Sequence, residues 1–275
     1  LGTIRECTAI LEVVRCFDDD NITHVDGSVD PVRDVETIET ELLLADIQSV
    51  TRRLERLRKM AKGDKDAKAA AEEAERLLQH LDSGRPAAEF SAKDSDAFRA
   101  TWNELGLLTA KQLIYCANVD ENHVGSETEH VQRLRARAAE RGAEVIVICA
   151  RLEEELQGLS DAEQNELLAS YGIEESGLVR VIHKGYAALG LISYFTAGEK
   201  ENRAWTINRG WKAPQAAGVI HTDFERGFIR AEVISFKDYM KYKTEAACRT
   251  AGVLRTEGKD YVVQDGDVMH FLFNV

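Results

Sequence analysis

The stretch Gln112–Glu121 reads Gln-Leu-Ile-Tyr-Cys-Ala-Asn-Val-Asp-Glu, and it decides the fold that we predict for this chain. Its apolar part, Leu113–Ala117, is too short for a stable helix and is flanked by polar residues. This pattern is typical of a buried strand in a parallel sheet. Such a strand would deliver Asn118–Glu121 to the crevice at the carboxyl edge of the sheet, where open α/β sheets bind ligands.

Two further apolar runs predict strands of the same sheet. Leu11–Phe17 lies before Gln112–Glu121 in the chain, and Val145–Cys149 lies after it. Ser126 and Glu129 have the spacing of a capping box, and the helix that they would open ends at Gly142. Strand, helix and strand in this order predict an α/β domain with a parallel sheet, formed by residues 1–30 and 84–190.

A long helical hairpin is predicted between the two parts of that domain, over residues 31–83. Asp30 is a suitable N-cap with Pro31 at the first helical position, and apolar residues then recur at steps of three and four to about Ala61. Gly63 and Asp64 interrupt the pattern, which resumes from Ala67 to Leu81. Two such helices joined by a short turn predict an antiparallel coiled coil.

The turn of this hairpin is basic, although the protein as a whole is acidic. Between Arg52 and Lys68 the sequence has eight basic and three acidic residues. A solvated helix surface and a phosphate-contacting tip both agree with this pattern. In the second interpretation, the candidate contacts with phosphates of RNA are Arg52, Arg53, Arg56, Arg58, Lys59, Lys62 and Lys65.

Residues 191–275 have a different texture, with short β-rich segments and turns. They predict strands, among them Tyr261–Val263 and Val268–Phe273, with a hairpin at Asp265–Gly266. The segments Phe236–Lys243 and Thr244–Glu257 can each hold a short helix. A mixed sheet of this size around one helix indicates a separate α+β domain of the β-grasp, ubiquitin-like type.

Composition excludes several classes of protein. The net charge of −13 argues against general coating of nucleic acid, although residues 193–275 are nearly neutral, with 12 basic and 11 acidic residues. Five widely spaced cysteines argue against a disulfide framework and favour the reducing cytoplasm. The sequence has no apolar run long enough for a membrane span and no metal-ligand spacing among its seven histidines. Because the chain opens at Leu1 without an initiator Met, we expect it to belong to a longer protein.

Several motifs, spread over essentially the whole chain, resemble those of the YchF or Obg-like ATPase family. The first half contributes Val14-Arg15-Cys16-Phe17, Ala61-Lys62-Gly63-Asp64-Lys65-Asp66-Ala67 and Ala117-Asn118-Val119-Asp120-Glu121. The second half contributes Tyr194-Phe195-Thr196-Ala197-Gly198, Arg203-Ala204-Trp205-Thr206, Ala213-Pro214-Gln215-Ala216-Ala217-Gly218, Ile220-His221-Thr222-Asp223-Phe224-Glu225 and Asp265-Gly266-Asp267-Val268.

The resemblance implies part of a P-loop, Rossmann-like nucleotide-hydrolase domain with an inserted coiled-coil hairpin, followed by a TGS domain of β-grasp type. It further implies hydrolysis of ATP, in preference to GTP or alongside it, with Mg²⁺ as cofactor. The implied partner is the ribosome, either its large subunit or the whole particle, with tRNA or rRNA as further contacts. The implied role is nucleotide-dependent regulation of translation or of a stress response in the cytoplasm.

The loop that reads the base in P-loop hydrolases is Asn-Lys-x-Asp in common GTP-specific members, and here it is Asn118-Val119-Asp120-Glu121. The resemblance places Val119 where it packs on the base and leaves Glu121 free to point to solvent. The following strand delivers a second loop whose backbone contacts the base, here Cys149-Ala150. The nucleotide-binding residues implied are therefore Asn118, Val119, Glu121, Cys149 and Ala150.

Phosphate binding in P-loop hydrolases requires the motif Gly-x-x-x-x-Gly-Lys-Ser/Thr, which the given sequence lacks. We therefore expect the catalytic residues and the Mg²⁺ ligands upstream of Leu1, and no hydrolysis by this polypeptide alone. The alternative is a non-catalytic ribosome or RNA adaptor, in which the nucleotide-binding fold is a scaffold for the basic tip and the C-terminal domain.

Overall fold

A computed structural model of the chain describes residues 2–19, 21–23, 27–93, 95–96, 98–198 and 201–274. The chain divides into two compact units, Leu1–Gly185 and Tyr186–Val275. The first is a mixed α/β unit with a parallel sheet, and the second combines a mixed sheet with short helices.

Three parallel strands form the sheet of the first unit, in the order β1, β2, β3. They are β1 at Ala9–Arg15, β2 at Gln112–Asn118 and β3 at Glu144–Ile148, so all three predicted strands are confirmed with small shifts of their ends. Arg15 is paired in register with Asn118, which is paired with Ile148. The carboxyl ends of the strands therefore lie at one edge, as the sequence predicted.

Eight helices in the described residues begin in this unit. They are α1 (Gly2–Glu6), α2 (Pro31–Met60), α3 (Lys65–Asp82), α4 (Arg99–Leu105), α5 (Glu129–Arg141), α6 (Ala150–Leu156), α7 (Asp161–Ser170) and α8 (Gly177–Ala188). Two helices cover one face of the sheet, since the start of α2 and the body of α5 share a buried core with β1 and β2. This core includes Val14, Val35, Tyr115, Val131 and Leu134.

Helices α2 and α3 form where the apolar spacing predicted them. The carboxylate of Asp30 accepts the backbone N–H groups of Val32 and Arg33, and Asp64 caps α3 in the same way. The two helices share a core in which leucines of α2 meet alanines of α3, and the small alanines allow close approach. Helix α5 differs from the prediction, because Thr128 rather than Ser126 is its N-cap.

A buried carboxylate ties α2 to the turn that precedes β2. Asp46 is fully buried and accepts hydrogen bonds from the backbone N–H of Leu108 at 2.9 Å and from the N–H and hydroxyl of Thr109, both at 2.8 Å. It also pairs with the guanidinium of Arg5 at 3.1 Å. Because every bond fills an acceptor position on a buried anion, removing Asp46 would leave several donors without a partner.

The second unit contains a five-stranded mixed sheet in the order β5, β4, β8, β6, β7. The strands are β4 (Leu191–Ala197), β5 (Asn202–Asn208), β6 (Phe228–Ser235), β7 (Arg255–Glu257) and β8 (Asp267–Phe273). The central pair, β4 and β8, is parallel and the other pairs are antiparallel. The helices are α9 (Ala213–Ile220), α10 (Thr222–Arg226), α11 (Phe236–Tyr242) and α12 (Glu245–Thr250). Three alanines of α9 pack into the core of the sheet.

The short helix predicted within Thr244–Glu257 is α12, which ends at Thr250 because Gly252 adopts a positive φ of 71° and the chain then enters β7. Two other predictions for this unit, a strand at Tyr261–Val263 and a hairpin at Asp265–Gly266, were wrong. The segment Tyr261–Val263 forms no strand beyond an isolated bridge between Val262 and Lys212. Asp265–Gly266 consequently makes a turn rather than a hairpin, and the carboxylate of Asp265 accepts the backbone N–H of Ser193 at 2.8 Å.

Candidate functional site

Side-chain and backbone bonds join the loops after β2 and β3 at the carboxyl edge of the sheet. The amide oxygen of Asn118 accepts the backbone N–H of Ala150, the first residue of α6, at 2.9 Å. Backbone bonds continue the sheet beside it, since Val119 N–H donates to the carbonyl of Ile148 and Cys16 N–H to the carbonyl of Asn118, both at 2.8 Å. We name the segments Asn118–Val124 and Cys149–Ala150 the carboxyl-edge loops.

The two acidic residues of the first loop have different partners. Asp120 shapes the loop itself, because its carboxylate accepts the N–H of Asn122 and the Nδ1 group of His123, each at 2.8 Å. Glu121 reaches across to the second loop and pairs with Nε of Arg151 at 2.6 Å. The expectation that Glu121 points freely to solvent was therefore wrong.

Two of the predicted base-site residues present their side chains to the core. Val119 is 2% exposed and Cys149 is 4% exposed, and both belong to the hydrophobic cluster between the sheet and its helices. Burial also raises the pKa of the Cys149 thiol, so this cysteine has the character of a structural residue. The side-chain contact with a base that we predicted for Val119 has no exposed surface on which to form in this structure.

Arg15, at the end of β1, holds the segment that follows this strand. Its guanidinium donates to the carbonyl oxygens of Phe17 at 3.0 Å, Asp19 at 3.2 Å and Ile22 at 2.9 Å, and it lies 4.8 Å from the centre of the Phe17 ring. Arg15 belongs to the motif Val14-Arg15-Cys16-Phe17, but no role was predicted for it from the sequence. A charged residue at the last position of a strand was the available signal.

Glu153, a residue of α6, fixes the start of α8. Its two carboxylate oxygens accept the backbone N–H groups of Gly177 at 2.6 Å and Leu178 at 3.2 Å. A Cβ atom at Gly177 would lie 2.7 Å from Cγ2 of Ile148, the last residue of β3. This close approach requires glycine, and sequence reasoning missed it because the contact joins two distant parts of the chain.

The predicted contact residues of the basic tip, Arg52–Lys68, divide into two groups. Arg53 pairs with Glu104 at 2.7 Å and is 21% exposed, and Arg58 pairs with Glu75 at 2.9 Å. The remaining candidates are exposed, and no ion pair is recorded for them within the part of the chain that the structure describes. They are Arg52, Arg56, Lys59, Lys62 and Lys65.

The described residues contain neither a cluster of metal ligands nor a membrane-spanning helix. In residues 2–19, 21–23, 27–93, 95–96, 98–198 and 201–274, no three His, Cys, Asp or Glu side chains are grouped in a way that could hold a metal ion. Within the same ranges, no helix combines the length and the hydropathy that crossing a membrane demands.

Comparison with known proteins supplies relatives over the full chain. The "Ribosome-binding ATPase YchF" of Bacillus subtilis is 49% identical over 280 residues, which cover 100% of this chain and 75% of the relative. The protein of the same name from Escherichia coli O157:H7 is 50% identical over 279 residues, with the same coverage.

A family model and a solved structure agree with these relatives. Residues 191–274 match the family YchF-GTPase_C, described as "Protein of unknown function (DUF933)". The solved structure of the Schizosaccharomyces pombe YchF GTPase is similar with a TM-score of 0.79 and 38% identity, over 98% of this chain and 74% of that one. From the extent and the level of these identities, this chain belongs to the YchF family.

Proposed function

We propose that this chain forms the base-reading part of a nucleotide hydrolase that binds ATP, in preference to GTP or alongside it, and acts on the ribosome. The bond between Asn118 and Ala150 is the observation that carries the proposal, because it joins the two carboxyl-edge loops into one rim where α/β sheets bind ligands. Membership of a family whose relatives are named ribosome-binding ATPases supports the reaction and the partner.

The ion pair of Glu121 supports adenine tolerance. In the GTP-specific loop, a carboxylate at the fourth position accepts N–H donors of guanine, and adenine has no donors on that edge. Here the carboxylate of Glu121 is engaged by Arg151 at 2.6 Å. Guanine would have to compete with Arg151 for this carboxylate, which weakens the preference for guanine over adenine.

Asn118 keeps the capacity to contact a base. Its oxygen is used by Ala150, but its NH₂ donors have no recorded partner among the described residues. We propose that these donors meet acceptor nitrogens of the base, while the buried Val119 supports the loop from below.

Phosphates and Mg²⁺ require residues other than those described here. The sequence lacks the P-loop motif, and the described residues contain no group suited to a metal, so the residues present do not fit a magnesium site. We therefore propose that hydrolysis belongs to the full-length protein and that the isolated chain has no hydrolytic activity. The five unpaired cysteines support a reducing, cytoplasmic location.

Calorimetric titration of the full-length protein with ATP and then with GTP, each with Mg²⁺, tests the proposed activity. We expect ATP to bind at least as tightly as GTP. If neither nucleotide binds, the adaptor becomes the better description.

The basic tip favours this second candidate function, a ribosome or RNA adaptor. We propose that the exposed cations of the tip contact rRNA phosphates, that α2 and α3 form a coiled-coil hairpin that projects them, and that the second unit is a TGS domain of β-grasp type. Phosphate contacts of Lys and Arg release counterions, so binding should weaken steeply as salt is raised.

Cosedimentation with ribosomes over a salt series tests the tip. The variant Arg56→Glu/Lys59→Glu should lose binding and salt sensitivity. The matched control Arg76→Glu/Lys184→Glu changes the charge equally, at two exposed cations outside the tip, and should bind like the wild type. Identical behaviour of the two variants would remove the tip from the interface.

A further inference from the structure

A cavity of about 550 Å³ lies in the first unit at the amino edge of the sheet, away from the carboxyl-edge loops. It is bounded by the starts of β1 and β2, the first turns of α2, the segment after α3 and the last turn of α5. Its apolar wall includes Ile10, Leu42, Leu43, Pro86, Leu108 and Leu113. This size and this lining are typical of sites for small organic molecules.

The polar side of the cavity contains a carboxylate that accepts three hydrogen bonds. Glu39 accepts the hydroxyl of Tyr115 on one oxygen, and on the other it accepts Arg137 at 2.6 Å and Arg141 at 2.9 Å. Its side chain is 13% exposed. Because two guanidinium groups share it, the negative charge of Glu39 is already compensated within the cavity.

The two arginines differ in the donors that remain. Arg137 is 16% exposed and also pairs with Glu140 at 3.2 Å. Arg141 is 28% exposed and, within the described residues, its bond to Glu39 is the one recorded, so most of its five N–H donors remain available. Glu36, the other lining carboxylate, is 55% exposed and lies 3.9 Å from Arg137.

We propose that this cavity binds a small amphipathic anion. The apolar body would lie against the leucines of α2 and β2, and a carboxylate would accept the free donors of Arg141. A guanidinium forms paired, charge-assisted hydrogen bonds with a carboxylate, whereas a cationic ligand would meet two guanidinium groups and a carboxylate whose charge they already compensate. This site is additional to the proposed nucleotide site and uses none of its residues.

Fluorescence titration of the full-length protein with anilinonaphthalene sulfonate, an amphipathic anion with an aromatic body, tests the cavity. Leu43→Trp places a large ring in the cavity and should weaken binding by about tenfold or more. Leu44→Trp is the matched control, because Leu44 is the next residue of α2, is 52% exposed and does not line the cavity. Equal affinities of the two variants would overturn the assignment of the site.

Competition tests the need for an anion. Decanoate should displace the probe about tenfold more effectively than decanol, which has the same apolar body without the charge. Arg141→Gln should abolish this difference, and Arg141→Lys should retain part of it. If decanol competes as well as decanoate against the wild type, the cavity is an apolar site without anion recognition and the proposal is wrong.

Discussion

The amide oxygen of Asn118 and the backbone N–H of Ala150 are 2.9 Å apart, and this bond links the ends of two neighbouring parallel strands. Asn118 is the last residue of β2, and Ala150 is the first residue of α6, separated from the end of β3 by Cys149. This neutral hydrogen bond, together with the pair of Glu121 and Arg151, holds the two carboxyl-edge loops as one surface.

Ala150→Pro removes the N–H group that donates to Asn118. We expect nucleotide affinity to fall by about tenfold, because the Asn118 side chain no longer bonds the second carboxyl-edge loop. Proline is tolerated at the first helical position, and Cys149 before it already has the extended φ and ψ of −121° and 106° that proline requires. Calorimetry with ATP measures the effect. Ala150→Gly keeps the N–H and should bind like the wild type; an equal loss in both variants would mean that the bond is not the cause.

The pairing of Glu121 with Arg151 predicts a change in base preference. Glu121→Asp combined with Arg151→Ala frees a shorter carboxylate, and we expect GTP affinity to rise relative to ATP because guanine then gains an acceptor for its N–H donors. Calorimetric titration with both nucleotides gives the ratio. Glu155→Ala is the control, since Glu155 lies 4.0 Å from Arg151 at the edge of contact. An unchanged ratio in the double variant would show that this carboxylate does not select the base.

Asp46→Ala should lower the free energy of unfolding by about 3 to 5 kcal/mol, because it leaves the N–H groups of Leu108 and Thr109 without their acceptor and removes the charged partner of Arg5. Asp46→Asn retains an oxygen and should cost less. Urea unfolding provides the measurement. Glu41→Ala, at an exposed position of the same helix, should remain within about 0.5 kcal/mol of the wild type. A similarly small effect of Asp46→Ala would contradict the role assigned to this carboxylate.

Gly177→Ala should destabilise the first unit by about 1 to 3 kcal/mol, because the new methyl group would meet Ile148 at 2.7 Å. Gly185→Ala lies on the same helix, and its new Cβ has no neighbour within 4 Å. That control should be neutral or stabilising by up to about 1 kcal/mol, since alanine favours helix. Thermal unfolding of both variants separates the steric effect from helix propensity, and equal shifts in the two would refute the predicted clash.

Glu12 predicts a pH dependence of stability. Burial, with a further contribution from the charge of Glu39, raises the pKa of Glu12 from 4.5 to about 7. The folded state therefore binds this proton more strongly than the unfolded state does. Stability from this group is fully present below the unfolded pKa of 4.5 and is lost as pH rises through about 7.

Glu12→Gln removes the titrating group. The free energy of unfolding of the variant should therefore fall by about 1 to 2 kcal/mol less than that of the wild type between about pH 5 and about pH 8. Urea unfolding at a series of pH values measures the difference. Glu41→Gln, an exposed glutamate, should follow the wild-type curve. Parallel curves for Glu12→Gln and the wild type would contradict the raised pKa.

The α/β fold followed from local patterns, because the apolar run Leu113–Ala117 and its two counterparts could each be buried only as strands. The cap at Asp30 and the break at Gly63–Asp64 likewise fixed the ends of long helices through backbone hydrogen bonding within a few residues. The short helix within Thr244–Glu257 was predictable for the same reason, and the positive φ of Gly252 places its end.

The sequence by itself determined which residues stand at the carboxyl edge, since strand ends and their loops are local properties of the chain. The tertiary structure alone decided what those residues do there: Val119 faces the core, Glu121 is held by Arg151, and Asn118 bonds Ala150. The hydrogen bonds of Asp46 and the cavity beside Arg141 were likewise decided by the tertiary structure. Each depends on side chains that are distant in sequence, and such contacts form only when burial brings separate helices and strands together.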